Sequence, residues 1–217
     1  MVFSFTSTFY FEKEHKNGLP QTRHQWTFSG EKGDIITLKI NTENDSNLNP
    51  IFWLTSTTTF DRINNTNLSI TNKCRISPRA YKMGGSRTFL EIDDSVSIDD
   101  LLKGIIIQSG NDASIALAEC LGGTEEDFVK LMNVYAERLG MKNTNFKNSS
   151  GWPEPNHISS VKDLAILSNA LIRDFPDLYS YFSEKEFTYN DIKQPNRNHL
   201  LENVEGVDGL KTGYTKK

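Results

Sequence analysis

The sequence of 217 residues has few cysteines, no excess of basic residues and no long apolar runs. No apolar stretch approaches the roughly 20 residues that a membrane-spanning helix needs, so we expect no transmembrane segment. The formal net charge of -4 gives no basic surface for nucleic acid, and we expect no nucleic-acid partner. The two cysteines, Cys74 and Cys120, form no Cys-x-x-Cys pair. Cys120 is expected to be a small buried hydrophobe, and a disulfide stays open as the alternative.

The first residues, MVFSFTSTFYFEKEHKNG, also lack the features of a secretory signal. They have no basic start, no long apolar core and no small-residue cleavage site. The residues by themselves therefore leave a cytoplasmic location open.

Residues 1–73 are predicted to be a β-rich segment of uncertain origin. The strings FSFTSTFYFE, QWTFSG and DIITLKINT alternate polar residues with aromatic or β-branched ones, which is typical of strands. Turn-forming strings, KNGLP, SGEKGD and NTENDSN, separate them. The stretch WTFSGEKGDIITLKI resembles small β-sandwich modules appended to secreted bacterial peptidases. A pair of hairpins without a function of their own accounts for it equally well.

From residue 74 onward the pattern predicts mainly helices. Ser97, Thr124 and Ser160 are each followed three residues later by an aspartate, which is typical of a helix N-terminus. The helix after Ser97 is apolar on most sides and is therefore expected to be buried. The next helices are predicted over NDASIALAECLG, over TEEDFVKLMNVYAERL up to Gly140, and over SVKDLAILSNALIRDF up to Pro176. EKEFTYN and GVDGLKTGYT are predicted as strands.

Two short motifs carry the candidate chemistry. Ser109-Gly110-Asn111 joins two predicted helices, and Lys211-Thr212-Gly213 lies on a predicted strand. Each motif alone is also explained by a capping turn or a cleft-lining strand. In this order they match the second and third motifs of serine acyl-transfer enzymes, whose first motif is Ser-x-x-Lys. Such enzymes need a hydroxyl that relays a proton, an amide that positions substrate and a cation that attracts its carboxylate.

Further segments extend this match: MGGSR at 83–87, SVSIDDLLKGIIIQSGNDAS at 95–114, FKNSSGWPEPNH at 146–157, DLAILSNALIRDFP at 163–176, IKQPNRN at 192–198 and VDGLKTGYT at 207–215. Over residues 76–215 the sequence resembles the serine D-alanyl-D-alanine carboxypeptidases, the low-molecular-mass penicillin-binding proteins. The resemblance implies an α/β (α+β) fold of the penicillin-binding-protein/β-lactamase-like transpeptidase type, incomplete here, with a β-rich N-terminal segment. Gly110 favours this family over the class A β-lactamases, which usually have Asp there.

The resemblance also implies roles for individual residues. Ser109 would relay protons, Asn111 would contact a substrate amide, and Lys211 would be the third-motif cation. It implies neither a metal nor an organic cofactor. The implied partners are a peptidoglycan stem peptide ending in D-Ala-D-Ala and, if the chain can be acylated, β-lactams; the implied location is the periplasm or cell envelope. The residues implied to bind substrate are Thr212, Gly213, Thr215, Arg197 and Ser86.

A nucleophile motif is not recognisable in the sequence. Counting back from MGGSR places Asn49 where the family has its serine and Phe52 where it has its lysine, and neither side chain can do that chemistry. The helix that should follow is expected to be weak, because LTSTTTFDRINN contains a run of β-branched threonines. Two literal Ser-x-x-Lys strings occur, about as many as chance provides. Ser29–Lys32 lies in a Gly-rich turn, and Ser159–Lys162 begins a helix with a structural role.

Only four residues follow Lys-Thr-Gly, where the family has further strands and a helix. Residues 74–217 are therefore expected to be a partial carboxypeptidase-like domain, truncated after the Lys-Thr-Gly strand. The first hypothesis is a serine-type D-Ala-D-Ala carboxypeptidase of peptidoglycan metabolism in a truncated or inactive form. The alternatives are a non-catalytic remnant or β-module that binds a partner, and a class A β-lactamase-like protein. Whether the chain is itself an enzyme stays open.

Overall fold

The computed structural model describes residues 5–10, 25–30 and 51–213, with side chains described from residue 55 onward. The predicted strand DIITLKINT lies outside these residues. In chain order the elements are β1 (Phe5–Tyr10), β2 (Gln25–Gly30), α1 (Ile51–Asn65), β3 (Lys73–Arg75), α2 (Pro78–Lys82), β4 (Ser95–Ser97), α3 (Ile98–Gln108), α4 (Asn111–Gly122), α5 (Glu125–Leu139), α6 (Val161–Asp174), α7 (Pro176–Tyr179), a 3-10 turn (Ser180–Ser183), β5 (Glu186–Tyr189), β6 (Ile192–Pro195) and α8 (Leu200–Asn203).

The strands of the described residues form three separate antiparallel pairs. β1 runs beside β2, with Phe5 opposite Gly30 and Tyr10 opposite Gln25. This pairing confirms the strands predicted from the alternation in FSFTSTFYFE and QWTFSG. β3 pairs with β4, and β5 pairs with β6, which confirms the strand predicted over EKEFTYN.

Helices α3 and α4 lie at the centre of the helical part. α3 contacts α1, α4 and both strands of the β5–β6 pair, and its buried side chains include Leu101, Leu102 and Ile106. α4 contacts α2, α5 and β3. The apolar run after Ser97 therefore forms a buried helix, as predicted. Within the described ranges, no helix is both long and apolar enough to span a membrane.

The predicted helix starts are confirmed by their hydrogen bonds. The hydroxyls of Ser97 and Thr124 accept the backbone N–H groups three residues later at 3.0 Å and 3.1 Å. The Ser160 hydroxyl does the same for Asp163 at 3.2 Å. At the other end of α5, Gly140 takes up the left-handed conformation with φ 78°. The polar groups at these helix ends thus find partners within the chain.

Helix α1 corrects the expectation that residues 51–65 belong to a β-rich, helix-poor segment. Its threonine run, Thr55 and Thr57–Thr59, is buried, and the Thr55 hydroxyl donates to the Ser149 carbonyl at 2.8 Å. Phe60 is fully buried, with its ring centroid 5.8 Å from that of Phe175. Because α1 contacts α3, α4, α5 and α6, its packing outweighs the low helix propensity of threonine.

The two cysteines form a disulfide, which corrects the expectation that Cys120 is a buried free cysteine. Cys74 lies in β3 and Cys120 near the end of α4, 46 residues further along, with 5.5 Å between their Cα atoms. The Cα separation is in the usual range for a bridged pair. Cys74 is buried and Cys120 is exposed. The covalent bond therefore fixes the β3–β4 pair to the C-terminal end of α4.

Candidate active site

The turn between α3 and α4 presents the Ser109 side chain. Ser109 ends α3 in the left-handed conformation, with φ 61° and ψ 38°. The next N–H, that of Gly110, donates to the Gly104 carbonyl at 2.9 Å. A Cβ at Gly110 would lie 2.1 Å from Thr88 Oγ1, so this position accommodates only glycine. The turn is therefore tight on both sides of Ser109.

Asn111 begins α4 and is held by the loop that contains MGGSR. Its backbone N–H donates to the Ser86 carbonyl at 2.9 Å, and its side-chain amide donates to the Gly84 carbonyl at 2.8 Å. A Cβ at Gly85 would lie 2.6 Å from Asn111 Nδ2, which explains a glycine with φ 79° there. The loop thereby fixes the orientation of the amide, and Ser86 contributes through its carbonyl group.

Asp112 is a buried carboxylate that the sequence reasoning missed. It is fully buried and accepts the backbone N–H groups of Thr88 at 2.8 Å, Phe89 at 3.0 Å and Leu90 at 3.3 Å. Multiple N–H donors compensate a buried carboxylate for its lost hydration. Asp112 thus holds the loop over residues 84–90 against the first turn of α4. An acidic residue in a first helical turn is too common to have indicated this role.

Lys211 reaches the Ser109 hydroxyl from 102 positions away in the sequence. Its ammonium group donates to Ser109 Oγ and also to the Thr212 carbonyl, the latter at 2.7 Å. The residue is only 6% exposed. Burial, and to a smaller extent the positive charge of Arg197, together lower the pKa of Lys211 to about 7. Near neutral pH the amine is therefore populated in both its charged and its neutral form.

The segment around Lys211 is not a strand. Residues 207–213 belong to no strand in the described part of the chain, so the strand predicted over GVDGLKTGYT is wrong for these residues, and Lys211 lies on no exposed sheet edge. A strand requires a neighbour that shares ladder hydrogen bonds with it. Here the carbonyls of Gly209 and Leu210 instead accept hydrogen bonds from the Asn198 side chain.

The other residues predicted to bind substrate differ in how they are placed relative to the Ser109–Lys211 pair. Arg197 is exposed, and its guanidinium donates to Gln108 Oε1 at 2.7 Å, next to Ser109 in the chain. Thr212 is partly buried and Gly213 is exposed. Thr215 lies outside the described residues. The structure thus brings Ser109 and Lys211 into direct contact and places Arg197 beside the residue before Ser109.

An exposed tryptophan lies beside the loop that holds Asn111. Trp152 is 48% exposed, and a Cβ at Gly85 would lie 3.2 Å from its ring atom Cζ3. The Asn148 side chain accepts the Trp152 backbone N–H at 3.0 Å and donates to the Trp152 carbonyl at 2.8 Å. The indole is therefore held at the rim of the site by both backbone groups of its residue.

None of the nucleophile candidates from the sequence joins this centre in the described residues. Asn49 and Lys32 lie outside them, and Phe52 lies in the first turn of α1, where only the backbone is described. Ser29 lies on β2 opposite Thr6. The Ser159 hydroxyl is hydrogen-bonded to that of Thr144 at 2.9 Å, while Lys162, the other end of that Ser-x-x-Lys string, is exposed. The described residues contain no group of His, Cys, Asp or Glu side chains that could hold a metal ion.

Chemically, the centre is suited to proton transfer. A buried amine with a pKa near neutrality can take a proton from a hydroxyl with which it shares a hydrogen bond, and can return it. The same amine, when charged, attracts a carboxylate, and Asn111 lies two residues from Ser109 with its amide oriented by the loop. This combination fits acyl transfer on a substrate with a free carboxylate.

Comparison with known proteins gives one family. The family model described as D-alanyl-D-alanine carboxypeptidase matches residues 51–217. The D-alanyl-D-alanine carboxypeptidase DacC of Escherichia coli is 52% identical over 133 residues, which are 61% of this chain and 33% of that protein. The D-alanyl-D-alanine carboxypeptidase DacF of Bacillus subtilis is 43% identical over 157 residues, 68% of this chain and 39% of that one. The chain thus spans about a third of the length of these relatives.

The fold agrees with solved structures of the same kind. Penicillin binding protein 5 from Haemophilus influenzae superposes with a TM-score of 0.76 and 32% sequence identity, covering 99% of this chain and 58% of that one. The fold is therefore the penicillin-binding-protein type with mixed helices and strands, as the resemblance implied.

Proposed function

Because the chain belongs to the D-alanyl-D-alanine carboxypeptidase family, we propose that it serves serine-type acyl transfer on peptidoglycan stem peptides that end in D-Ala-D-Ala. The reaction releases the terminal D-Ala through an acyl-enzyme, which water then hydrolyses. The contact between the Lys211 amine and the Ser109 hydroxyl carries this proposal, since it pairs two residues of separate motifs in the dry environment that proton transfer favours.

Each motif residue has a role in the proposal. Ser109 relays the proton between the leaving D-Ala amine and Lys211, which supplies or removes it according to its charge state. Asn111 donates its amide to a substrate carbonyl, after the loop has oriented it. We assign no nucleophile among the described residues. The residues that we propose for the binding of the substrate carboxylate and backbone are Thr212, Gly213, Thr215, Arg197 and Ser86.

The proposed location is the periplasm or another part of the cell envelope, where peptidoglycan is found. The Cys74–Cys120 disulfide supports this location, because such bonds persist in oxidising compartments and are rare in the reducing cytosol. β-Lactams are the second proposed ligand class, since they acylate enzymes that recognise D-Ala-D-Ala. The boundaries proposed for the carboxypeptidase-like part, residues 74–217, leave α1 outside, although the family match begins at residue 51.

The test is acylation of the purified, folded chain by a fluorescent penicillin, read by intact mass and peptide mapping. We expect one covalent adduct per chain on a serine other than Ser109. The matched control is Lys211→Ala, which should form the adduct at least about 100-fold more slowly if Lys211 moves the proton. A folded chain that gives no adduct would contradict the proposal and favour a remnant that only binds peptide. An adduct on Ser109 itself would contradict the relay role.

A further inference from the structure

The segment Asn196-Arg197-Asn198 touches both halves of the candidate site. Asn196 is buried, and its side-chain amide donates to the Glu184 carbonyl at 2.7 Å, at the start of the β5–β6 pair. The Arg197 backbone N–H donates to the Ile107 carbonyl at 3.2 Å, two residues before Ser109. The segment is therefore fixed to α3 by the backbone of Arg197.

Asn198 is also held in place by hydrogen bonds. It is 5% exposed, its backbone N–H donates to Asn196 Oδ1 at 2.8 Å, and its own Oδ1 accepts the Leu200 N–H at 3.3 Å. The other polar atom of its side chain, Nδ2, donates to the Gly209 carbonyl at 3.2 Å and to the Leu210 carbonyl at 2.9 Å. The amide thus has a defined orientation, and its donors point at the two residues that precede Lys211.

These two hydrogen bonds matter because residues 207–213 have no strand ladder in the described part of the chain. Gly209 and Leu210 are buried, and buried carbonyls need a donor. On the other side, the Tyr179 hydroxyl donates to Asp208 at 3.0 Å, and a Cβ at Gly209 would lie 2.6 Å from that hydroxyl. The backbone before Lys211 is therefore enclosed between Tyr179 and Asn198.

We propose that Asn198 is a positioning residue for Lys211: its buried amide holds the backbone of Gly209 and Leu210 and so keeps the Lys211 amine on the Ser109 hydroxyl. Arg197 connects the same segment to Gln108 and Ile107, so the stretches before Ser109 and before Lys211 are joined through two consecutive residues, Arg197 and Asn198. The effect of Asn198 on catalysis rests on the proposed function. Its effect on the position of the Lys211 amine can be measured on the free protein, without substrate.

The test uses Asn198→Ala and follows the titration of Lys211 by NMR of lysine labelled at Cε, with Lys211→Ala to assign the signal. The wild type should titrate near pH 7, as a buried amine beside Arg197 does. In the variant the amine should leave Ser109, gain water and titrate at least about one pH unit higher, toward the value near 10.5 of a solvated lysine. The Ala substitution adds no charge near Lys211 and leaves in place the positive charge of Arg197 that acts on it.

The matched control is Asn203→Ala, five residues further on, where the exposed side chain donates to the His199 carbonyl at 2.8 Å. It should leave the Lys211 titration unchanged. If Asn198→Ala does not fold, Asn198→Ser is measured in the same way, because its hydroxyl still accepts the Leu200 N–H. A folded variant with an unchanged titration overturns the inference, as does failure of both variants to fold. Because no substrate is used, absence of a penicillin adduct does not bear on this result.

Discussion

The burial of Lys211 determines its charge state near neutral pH. An ordinary lysine is charged far above neutral pH, whereas burial brings the pKa of Lys211 down to about 7. Since the Ser109 hydroxyl and the Thr212 carbonyl both accept from it, the charged form keeps partners while it lacks water. The lowered pKa has a cost in stability, because the folded state disfavours the charged form that the unfolded state keeps at neutral pH.

The stability of the wild type should rise between pH 7 and pH 9 relative to Lys211→Met. In this window the unfolded chain keeps its lysine protonated, while the folded chain releases the proton, so the unfolded state binds more protons and stability increases with pH. The penalty is present in full below the folded pKa and disappears as pH rises toward the unfolded value. For a folded pKa of about 7, the gain is about 2 kcal/mol.

Urea unfolding of both proteins at pH 7 and pH 9 measures this difference. Groups other than Lys211 are present in both proteins, so their contributions cancel in the comparison. Parallel pH dependences of wild type and variant would show that folding does not lower the pKa of Lys211.

At the scale of elements, α3 and the loop over residues 84–90 approach each other through glycines. A Cβ at Gly104, in the middle of α3, would lie 2.4 Å from Thr88 Oγ1 and 2.8 Å from Thr88 Cγ2. Thr88 is fully buried and its loop is held by Asp112, so it has little room to move. The helix therefore needs glycine for close approach of the loop, not for its own conformation.

Gly104→Ala should destabilise the protein, although the same change in an exposed helix interior stabilises it by about 1 kcal/mol. The added methyl group overpacks the contact with Thr88, which typically costs about 1–3 kcal/mol. Thermal and urea unfolding measure the change. The double variant Gly104→Ala/Thr88→Ala removes the two nearest atoms and should recover part of the loss. A stabilised Gly104→Ala would mean that the loop moves away easily.

The elements also show where sequence reasoning succeeds. The starts of α3, α5 and α6 follow from local signals, a capping hydroxyl with an aspartate three residues later, and these contacts need only neighbouring residues. For helix α1 the resemblance places a helix at LTSTTTFDRINN, but its threonine run predicts a weak one, because the sequence does not show that these threonines are buried against four other helices. For residues 207–213 the alternation predicts a strand that the structure does not have, because alternation carries no information on whether a partner strand is present.

At the scale of the whole molecule, the site is made by contacts between distant parts of the chain. The Ser109–Lys211 contact spans 102 residues, and the Gln194 side chain reaches the Thr88 carbonyl across 106. The motifs predicted that Ser109, Asn111 and Lys211 belong together. They could not predict Asp112 or Asn198, whose roles depend on which backbone groups the fold leaves beside them. The disulfide was likewise undecided, because two cysteines carry no spacing rule of their own.

The Cys74–Cys120 bond should contribute substantially to the stability of the folded chain. It closes a loop of 46 residues between β3 and α4, and the loss of unfolded-chain entropy for such a loop corresponds to about 3–4 kcal/mol. Reduction should therefore lower the urea midpoint of the wild type markedly. The control is Cys74→Ala/Cys120→Ala, which should unfold at the lower midpoint whether or not reductant is present. If reductant exposes both thiols and leaves the wild-type midpoint unchanged, the β3–β4 pair is held to α4 by packing alone, and the bond does not stabilise the fold.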